Sequence, residues 1–311
     1  MTAYYARLER EALLHITGPD TLTFLQGQTT CDTRTVDGEH AVPGAYCTPQ
    51  GRMVCDFLLG QISSEHFGLR LRAGTLEAAA ATFGKYIVFS KAELDASRKD
   101  WAVVACWGES VASTFDKLLG RLPGGRYQAV TGDGYVLIQR DDEAQQFEAW
   151  IDMAQHADHY QALQDAMTAG DPNDWEALQI RAGNGRVENP TIEEFLPQML
   201  NYDLTGHVSF TKGCYTGQEI VARLHYRGKA KRRLYLATGG NEALAAGTPL
   251  FIAGGEQSIG TVTNSACADG EVVHLVSSTE AGLASPLHPG SPDDPVELKL
   301  EPVHDLSGDD N

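Results

Sequence analysis

The sequence predicts an α+β protein of two domains, and two observations carry that reading. Up to about residue 227, candidate strands and helices mix without the regular β-α-β rhythm of a parallel sheet. From residue 228 the texture changes to short β-rich pieces separated by glycines, spaced as in a small barrel or sandwich. A chain of 311 residues, 42% apolar and 8% aromatic, has the material for a sizeable core in an ordinary globular protein. The expected division is residues 1–227, residues 228–303 and a disordered acidic tail at residues 304–311.

Leu13 to Ile16 reads as a short apolar strand, after which Thr17-Gly18-Pro19-Asp20 has the spacing of a helix cap with proline in the first turn. A helix carrying Leu22 and Leu25 follows. Thr48-Pro49-Gln50-Gly51 is a turn by composition. Beyond it Met53, Cys55, Phe57 and Leu59 alternate with Val54, Asp56 and Leu58, which predicts the second strand of a hairpin with Asp56 on the face opposite Phe57. Phe67, Leu69 and Leu71 alternate with Arg70 and Arg72 in another strand, and Leu76 to Tyr86 is an alanine-rich helix. Thr216 and Glu219 have capping-box spacing, so a helix is expected from Gly217. Its residues Ile220, Val221 and Leu224 share one side, and Arg223 and Arg227 another. Strands are expected at Leu234 to Leu236, Pro249 to Ile252, Ile259 to Thr263, Val272 to Val276 and Val296 to Leu300, before the tail from His304 to Asn311.

Composition excludes several classes. No run approaches the 18 apolar residues of a membrane span, and Met1 to Glu11 lacks the apolar core of a signal peptide, so a soluble cytoplasmic protein is expected. Six cysteines, at 31, 47, 55, 106, 214 and 267, form no C-x-x-C pair, which points to reduced thiols and to no permanently held cluster. A net charge of −18 argues against general nucleic-acid binding, direct RNA binding included. Yet six of the 24 basic residues fall between Arg223 and Arg233, namely Arg223, Arg227, Lys229, Lys231, Arg232 and Arg233. They form either a patch for a polyanion or a solvated helix end that runs into a charge-protected edge strand.

The strongest candidate for chemistry is Cys214. Lys212 and the start of a helix both favour the thiolate over a free thiol of pKa about 8.5, with a small buried apolar residue as the alternative. Trp175 offers either a flat stacking surface or a helix-face core residue. His156 and His159 stand i, i+3 without further ligands, so no metal site is expected. Nucleophile-elbow and P-loop patterns are absent, and Gly183-Asn184-Gly185 is half a dinucleotide fingerprint.

The octapeptide Lys212-Gly213-Cys214-Tyr215-Thr216-Gly217-Gln218-Glu219 also resembles the K-G-C-Y-x-G-Q-E signature of the YgfZ family, folate-binding relatives of the glycine cleavage T protein, an aminomethyltransferase. Phe195-Leu196-Pro197-Gln198, Glu219-Ile220-Val221-Ala222-Arg223, Phe24-Leu25-Gln26-Gly27-Gln28 and Thr48-Pro49-Gln50-Gly51-Arg52 extend the resemblance from about residue 5 to 235. The resemblance implies an interleaved ferredoxin-like folate-binding body with a small C-terminal β-barrel. It further implies tetrahydrofolate or a derivative as cofactor, and support of the assembly or repair of iron–sulfur enzymes, including tRNA-modifying ones. Those enzymes or their assembly factors would be the partners. Cys214 and Lys212 would be the reactive pair, and Trp175, Gln198, Arg223, Arg227 and Asp56 would lie at the cofactor.

Three departures from the aminomethyltransferases follow. Arg181, a donor only, stands where they have a pterin-accepting glutamate; Cys55-Asp56 replaces paired aspartates; Cys214 replaces an aspartate. The resemblance thus implies an aminomethyltransferase-like fold without that activity. The alternatives are a folate-dependent one-carbon transferase using Asp56, or an RNA- or protein-binding module using the patch at 223–233.

Overall fold

The computed structural model describes residues 2–306. Period-two apolar runs build three sheets, of five, six and six strands. The first strands are β1 (Tyr4–Arg7), β2 (Glu11–Thr17), β3 (Val42–Cys47), β4 (Met53–Ser63), β5 (His66–Arg72) and β6 (Glu93–Asp95). They are followed by β7 (Trp101–Trp107), β8 (Ala129–Gly132), β9 (Tyr135–Gln139), β10 (Gln146–Asp152) and β11 (Thr168–Ala169). The last are β12 (Arg233–Thr238), β13 (Pro249–Ile252), β14 (Gly260–Ala268), β15 (Glu271–Ser278), β16 (Leu287–Pro289) and β17 (Lys299–Pro302). The helices are α1 (Thr21–Gln28), α2 (Leu76–Ile87), α3 (Val111–Leu119), α4 (Ala157–Ala166), α5 (Pro172–Arg181) and α6 (Gln218–Arg227). None is long and apolar enough to cross a membrane, among the described residues.

The chain forms two compact units, each assembled from separated segments. The first takes the chain up to Tyr46, Cys55–Pro172 and Thr211–Tyr215; the second takes Cys47–Val54, Asn173–Phe210 and the chain from Thr216 onward.

The first unit holds the sheets β3-β4-β5-β2-β6 and β11-β1-β7-β10-β9-β8. Val104, Cys106, Phe115, Phe147 and Leu163 pack together as a core that α3 and α4 share with the six-stranded sheet. Strands β7 to β10, with α3, have no counterpart among the elements expected from sequence. Trp101–Trp107 is a continuous apolar run buried almost throughout, so it lacks the alternation that marks a half-exposed strand. Strand β4 is covered in the same way. Met53 to Gly60 are all buried, Asp56 as well as Phe57. Gly60 and Gly68 leave room for the Trp150 ring, which a Cβ at Gly60 would meet at 2.9 Å.

Arg70 and Arg72 are also internal rather than solvated. Arg70 Nε and Trp150 Nε1 donate to Glu148 Oε1 at 2.8 and 2.7 Å, and Arg140 Nη1 donates to Glu148 Oε2 at 2.7 Å. Glu11 accepts from Arg72 at 2.9 Å. Burial alone would raise the Glu148 carboxyl, but Arg70 and Arg140 outweigh it and hold it below the usual carboxylate range. Helix α1 begins at Thr21, with Asp20 rather than Thr17 at its cap, because Gly18 at φ 121° still turns the chain.

The second unit carries the sheet β16-β13-β14-β15-β12-β17 over a core that includes Tyr235, Leu250, Val262, Val276 and Leu298. Leu287 and Leu298 exchange backbone bonds of 2.9 and 2.8 Å, which ties the two edges of the sheet at one rung. Strand β12 lies between β15 and β17, so the expected edge strand after the basic run is an interior one. The expected tail is held at its start, where His304 Nδ1 meets Asn201 Nδ2 at 3.0 Å; residues 307–311 lie outside the described residues.

Candidate functional site

In the first unit, Lys212 joins its loop to the carbonyl end of α1. Thr29 ends that helix, and its carbonyl and that of Cys31 each accept from Lys212 Nζ at 2.6 Å. The Tyr215 ring centroid lies 5.2 Å from the same nitrogen. Burial pulls the Lys212 ammonium down to about 8, partly opposed by Cys31 and Asp32. Lys212 Nζ is therefore bonded to two carbonyls at the end of α1. Its work is to fix the loop.

Cys214, two residues on, is exposed. Cys267 is the other exposed thiol, while Cys31, Cys47, Cys55 and Cys106 are buried. Burial pushes Cys31 up to about 11 and Cys47 up to about 12, so both stay protonated at neutral pH. An exposed thiol on an anchored loop can meet a disulfide or a metal ion brought by a partner.

In the second unit, three of the sequence segments converge. The chain turns at Gly51 (φ 76°) and Gly217 (φ 84°), both in the left-handed region. A Cβ at Gly217 would stand 2.5 Å from the Thr48 carbonyl oxygen, and one at Gly51 would stand 3.0 Å from Ile220. Close approach and positive φ thus both require glycine. Helix α6 starts at Gln218 with Gly217 as its cap, so the expected capping box gives way to a left-handed glycine. Met53 N–H donates to the Phe195 carbonyl at 2.8 Å, the Arg52 guanidinium donates to the Glu194 carbonyl, and Gln198 Nε2 donates to the Val221 carbonyl at 2.8 Å. Gln198 is 1% exposed, and its Oε1 has no partner among the described residues. Flipping the amide would set oxygen against the Val221 carbonyl, so this orientation stands.

The remaining sequence candidates are spread over different surroundings. Asp56 is buried in β4. Trp175 lies in α5 at 3% exposure, which encloses its ring as a helix-face core residue. Arg181 reaches Glu271 at 3.2 Å on the surface. Arg223 and Arg227 are exposed on α6. Arg233 leaves the basic patch altogether: its Nη1 donates to both Asp203 oxygens, at 2.8 and 2.9 Å, and to the Gln198 carbonyl at 3.1 Å. His156 and His159 stack at 5.7 Å, and His159 Nε2 lies 2.8 Å from the Asp133 carbonyl.

Two features escaped sequence reasoning. Phe210 and His225 stack at 3.6 Å, with Tyr226 edge-on to both rings. His15 Nδ1 and His66 Nε2 lie 2.8 Å apart, and burial lowers His15 to about 4. Pairs this distant in sequence leave no local signal, except the aromatic adjacency of His225 and Tyr226.

No protein-family model matches the chain. In fold it is similar to the crystal structure of glycine cleavage system aminomethyltransferase T from Bartonella henselae, with a TM-score of 0.73 and 14% identity, over 98% of this chain and 86% of that one. The class is therefore a mixed α/β protein with an aminomethyltransferase-like fold. Its sequence is 32% identical over 250 residues to the tRNA-modifying protein YgfZ of Pectobacterium carotovorum subsp. carotovorum (strain PC1), covering 80% of this chain and 74% of that protein. It is 31% identical over 257 residues to the tRNA-modifying protein YgfZ of Pectobacterium atrosepticum, covering 82% and 77%. The chain belongs to the YgfZ family.

Proposed function

We propose that this protein is a folate-binding factor that supports the assembly or repair of iron–sulfur enzymes, including those that modify tRNA, with Cys214 as its reactive group. One observation carries the reading: Cys214 is exposed on a loop that Lys212 fastens to α1, in a chain where four of the six thiols are buried. The relatives' name connects the family to tRNA modification. The aminomethyltransferase-like fold supports tetrahydrofolate or a derivative as ligand and, more finely, an interleaved ferredoxin-like body. The Cys214 sulfur would form a mixed disulfide with a partner or ligate its iron transiently. In the second unit Gln198 holds α6, and the enclosed Trp175 supports that unit from within.

Complementation tests the thiol. In a deletion strain, Cys214→Ala is expected to lose the activity of a cluster-dependent tRNA-modifying enzyme, while Cys267→Ala retains it. Equal rescue by Cys214→Ala would show the thiol role to be wrong. Calorimetry with tetrahydrofolate tests the ligand. Binding without turnover of an aminomethyl donor is expected, whereas turnover that disappears in Asp56→Ala would make the protein a one-carbon transferase instead.

A further inference from the structure

The cations between Arg223 and Arg233 divide once their surroundings are known. Arg233 is internal and paired with Asp203. The strand it opens is interior to its sheet, so the remaining charges do not guard a sheet edge. Arg223, Arg227, Lys229 and Lys231 are exposed, and Arg223, Arg227 and Lys231 pair with no carboxylate among the described residues. On α6, Arg223, Tyr226 and Arg227 stand at i, i+3 and i+4, which puts them on one face with the two arginines about 6 Å apart along the axis. Tyr226 is 67% exposed. Its ring is propped edge-on by Phe210 and His225, so presenting it to a partner freezes little further motion. Just beyond the helix lies a cavity of about 870 Å³, lined in part by Lys229, Lys231, Arg233, Tyr235, Glu280 and Asp305.

We propose that this strip, from Arg223 to Lys231 with the adjoining cavity, is a binding site for single-stranded RNA. Phosphates pair with Arg223, Arg227 and Lys231, and an unpaired base stacks on Tyr226. The cavity is large enough to hold a neighbouring unstacked nucleotide. There Glu280 and Asp305 accept from a ribose 2′-hydroxyl, a donor that DNA lacks. A net charge of −18 limits contact to the few phosphates the strip can neutralise, and it disfavours a duplex, whose bases are already stacked. The proposal does not depend on Cys214 or on folate.

Fluorescence anisotropy of the full chain with a short, unstructured, labelled RNA tests it, with the same sequence as a duplex and as DNA, and with oligoglutamate as competitor. Log affinity is expected to fall with log salt at a slope of about −2, the value for three phosphates on a single strand. Tyr226→Ala should weaken binding about tenfold without changing that slope, whereas Lys231→Ala should reduce the slope by about 0.7. Circular dichroism confirms that each variant is folded. Three results would overturn the site: affinity unchanged in Tyr226→Ala, equal binding of duplex or DNA, or displacement by oligoglutamate as effective as by RNA. The last would assign the strip to acidic chains in general. No thiol chemistry enters this assay, so its failure leaves the Cys214 reading standing, and failure of Cys214 in complementation leaves this one standing.

Discussion

At Glu148 two guanidiniums and an indole N–H converge on one carboxylate away from water, whereas along α6 the exposed arginines pair with no carboxylate among the described residues. The same side-chain chemistry therefore has opposite consequences. In the buried cluster each charge has been stripped of water, so losing one partner strands the others. On α6 the charges keep their hydration and add little to stability, which leaves them available to a ligand. Lys212 belongs with the first group although it lies in the family octapeptide, because its ammonium is enclosed by two carbonyls and the Tyr215 ring.

The contrast is best broken at its buried end. Glu148→Ala removes the buried carboxylate that Arg70 and Arg140 share and is expected to cost about 3–5 kcal/mol in urea unfolding. Its pH signature has a definite sign. The folded carboxyl lies below its ordinary 4.5, so its stabilisation is complete above that value and is lost as pH falls through the lower folded one. Wild type should therefore lose stability more steeply in acid than Glu148→Gln does.

Lys212→Met comes next, because two buried carbonyls then lack a donor, at about 1–3 kcal/mol each. The folded ammonium titrates near 8 against an ordinary 10.5, so neutralising it favours the folded state. The stability difference between wild type and Lys212→Met should grow as pH rises from about 8 towards 10.5, and it should be lost as pH falls back through 8. A flat difference across that range would mean that the lysine is not enclosed.

Thiol labelling gives a smaller, sharper comparison. Under native conditions a maleimide should modify Cys214 and Cys267, and the four buried cysteines only after unfolding. Smallest of all, Arg223→Ala and Tyr226→Ala should each change stability by no more than about 0.5 kcal/mol. A larger loss in either would move α6 into the structural class and weaken its case as a binding surface.

Local patterns were legible wherever the chain's neighbours in sequence decide the conformation. The turn at Thr48 to Gly51, the strand with Phe67, Leu69 and Leu71, helix α2 and strand β13 all stand close to where alternation, glycine and alanine content placed them. Strands β7 to β10 were not legible, because a strand covered on both faces loses the polar half of its pattern. Helix α6 was expected one residue early, because the Thr216 to Glu219 spacing mimics a cap that a left-handed Gly217 in fact provides. Within the candidate site, the octapeptide and its glycines were readable, but the partner of Lys212 was not.

By itself the sequence determined the family membership carried by the octapeptide, the turn at Thr48 to Gly51, and the concentration of cations from Arg223 to Arg233. Tertiary structure alone decided which cations are structural and which are open. Lys212 finds its carbonyls 183 and 181 residues away, Arg233 finds Asp203 across 30 residues, and Asp56 is buried in β4. The reason is electrostatic. A charge acts according to the water and partners around it, and those are assembled only when distant segments fold together.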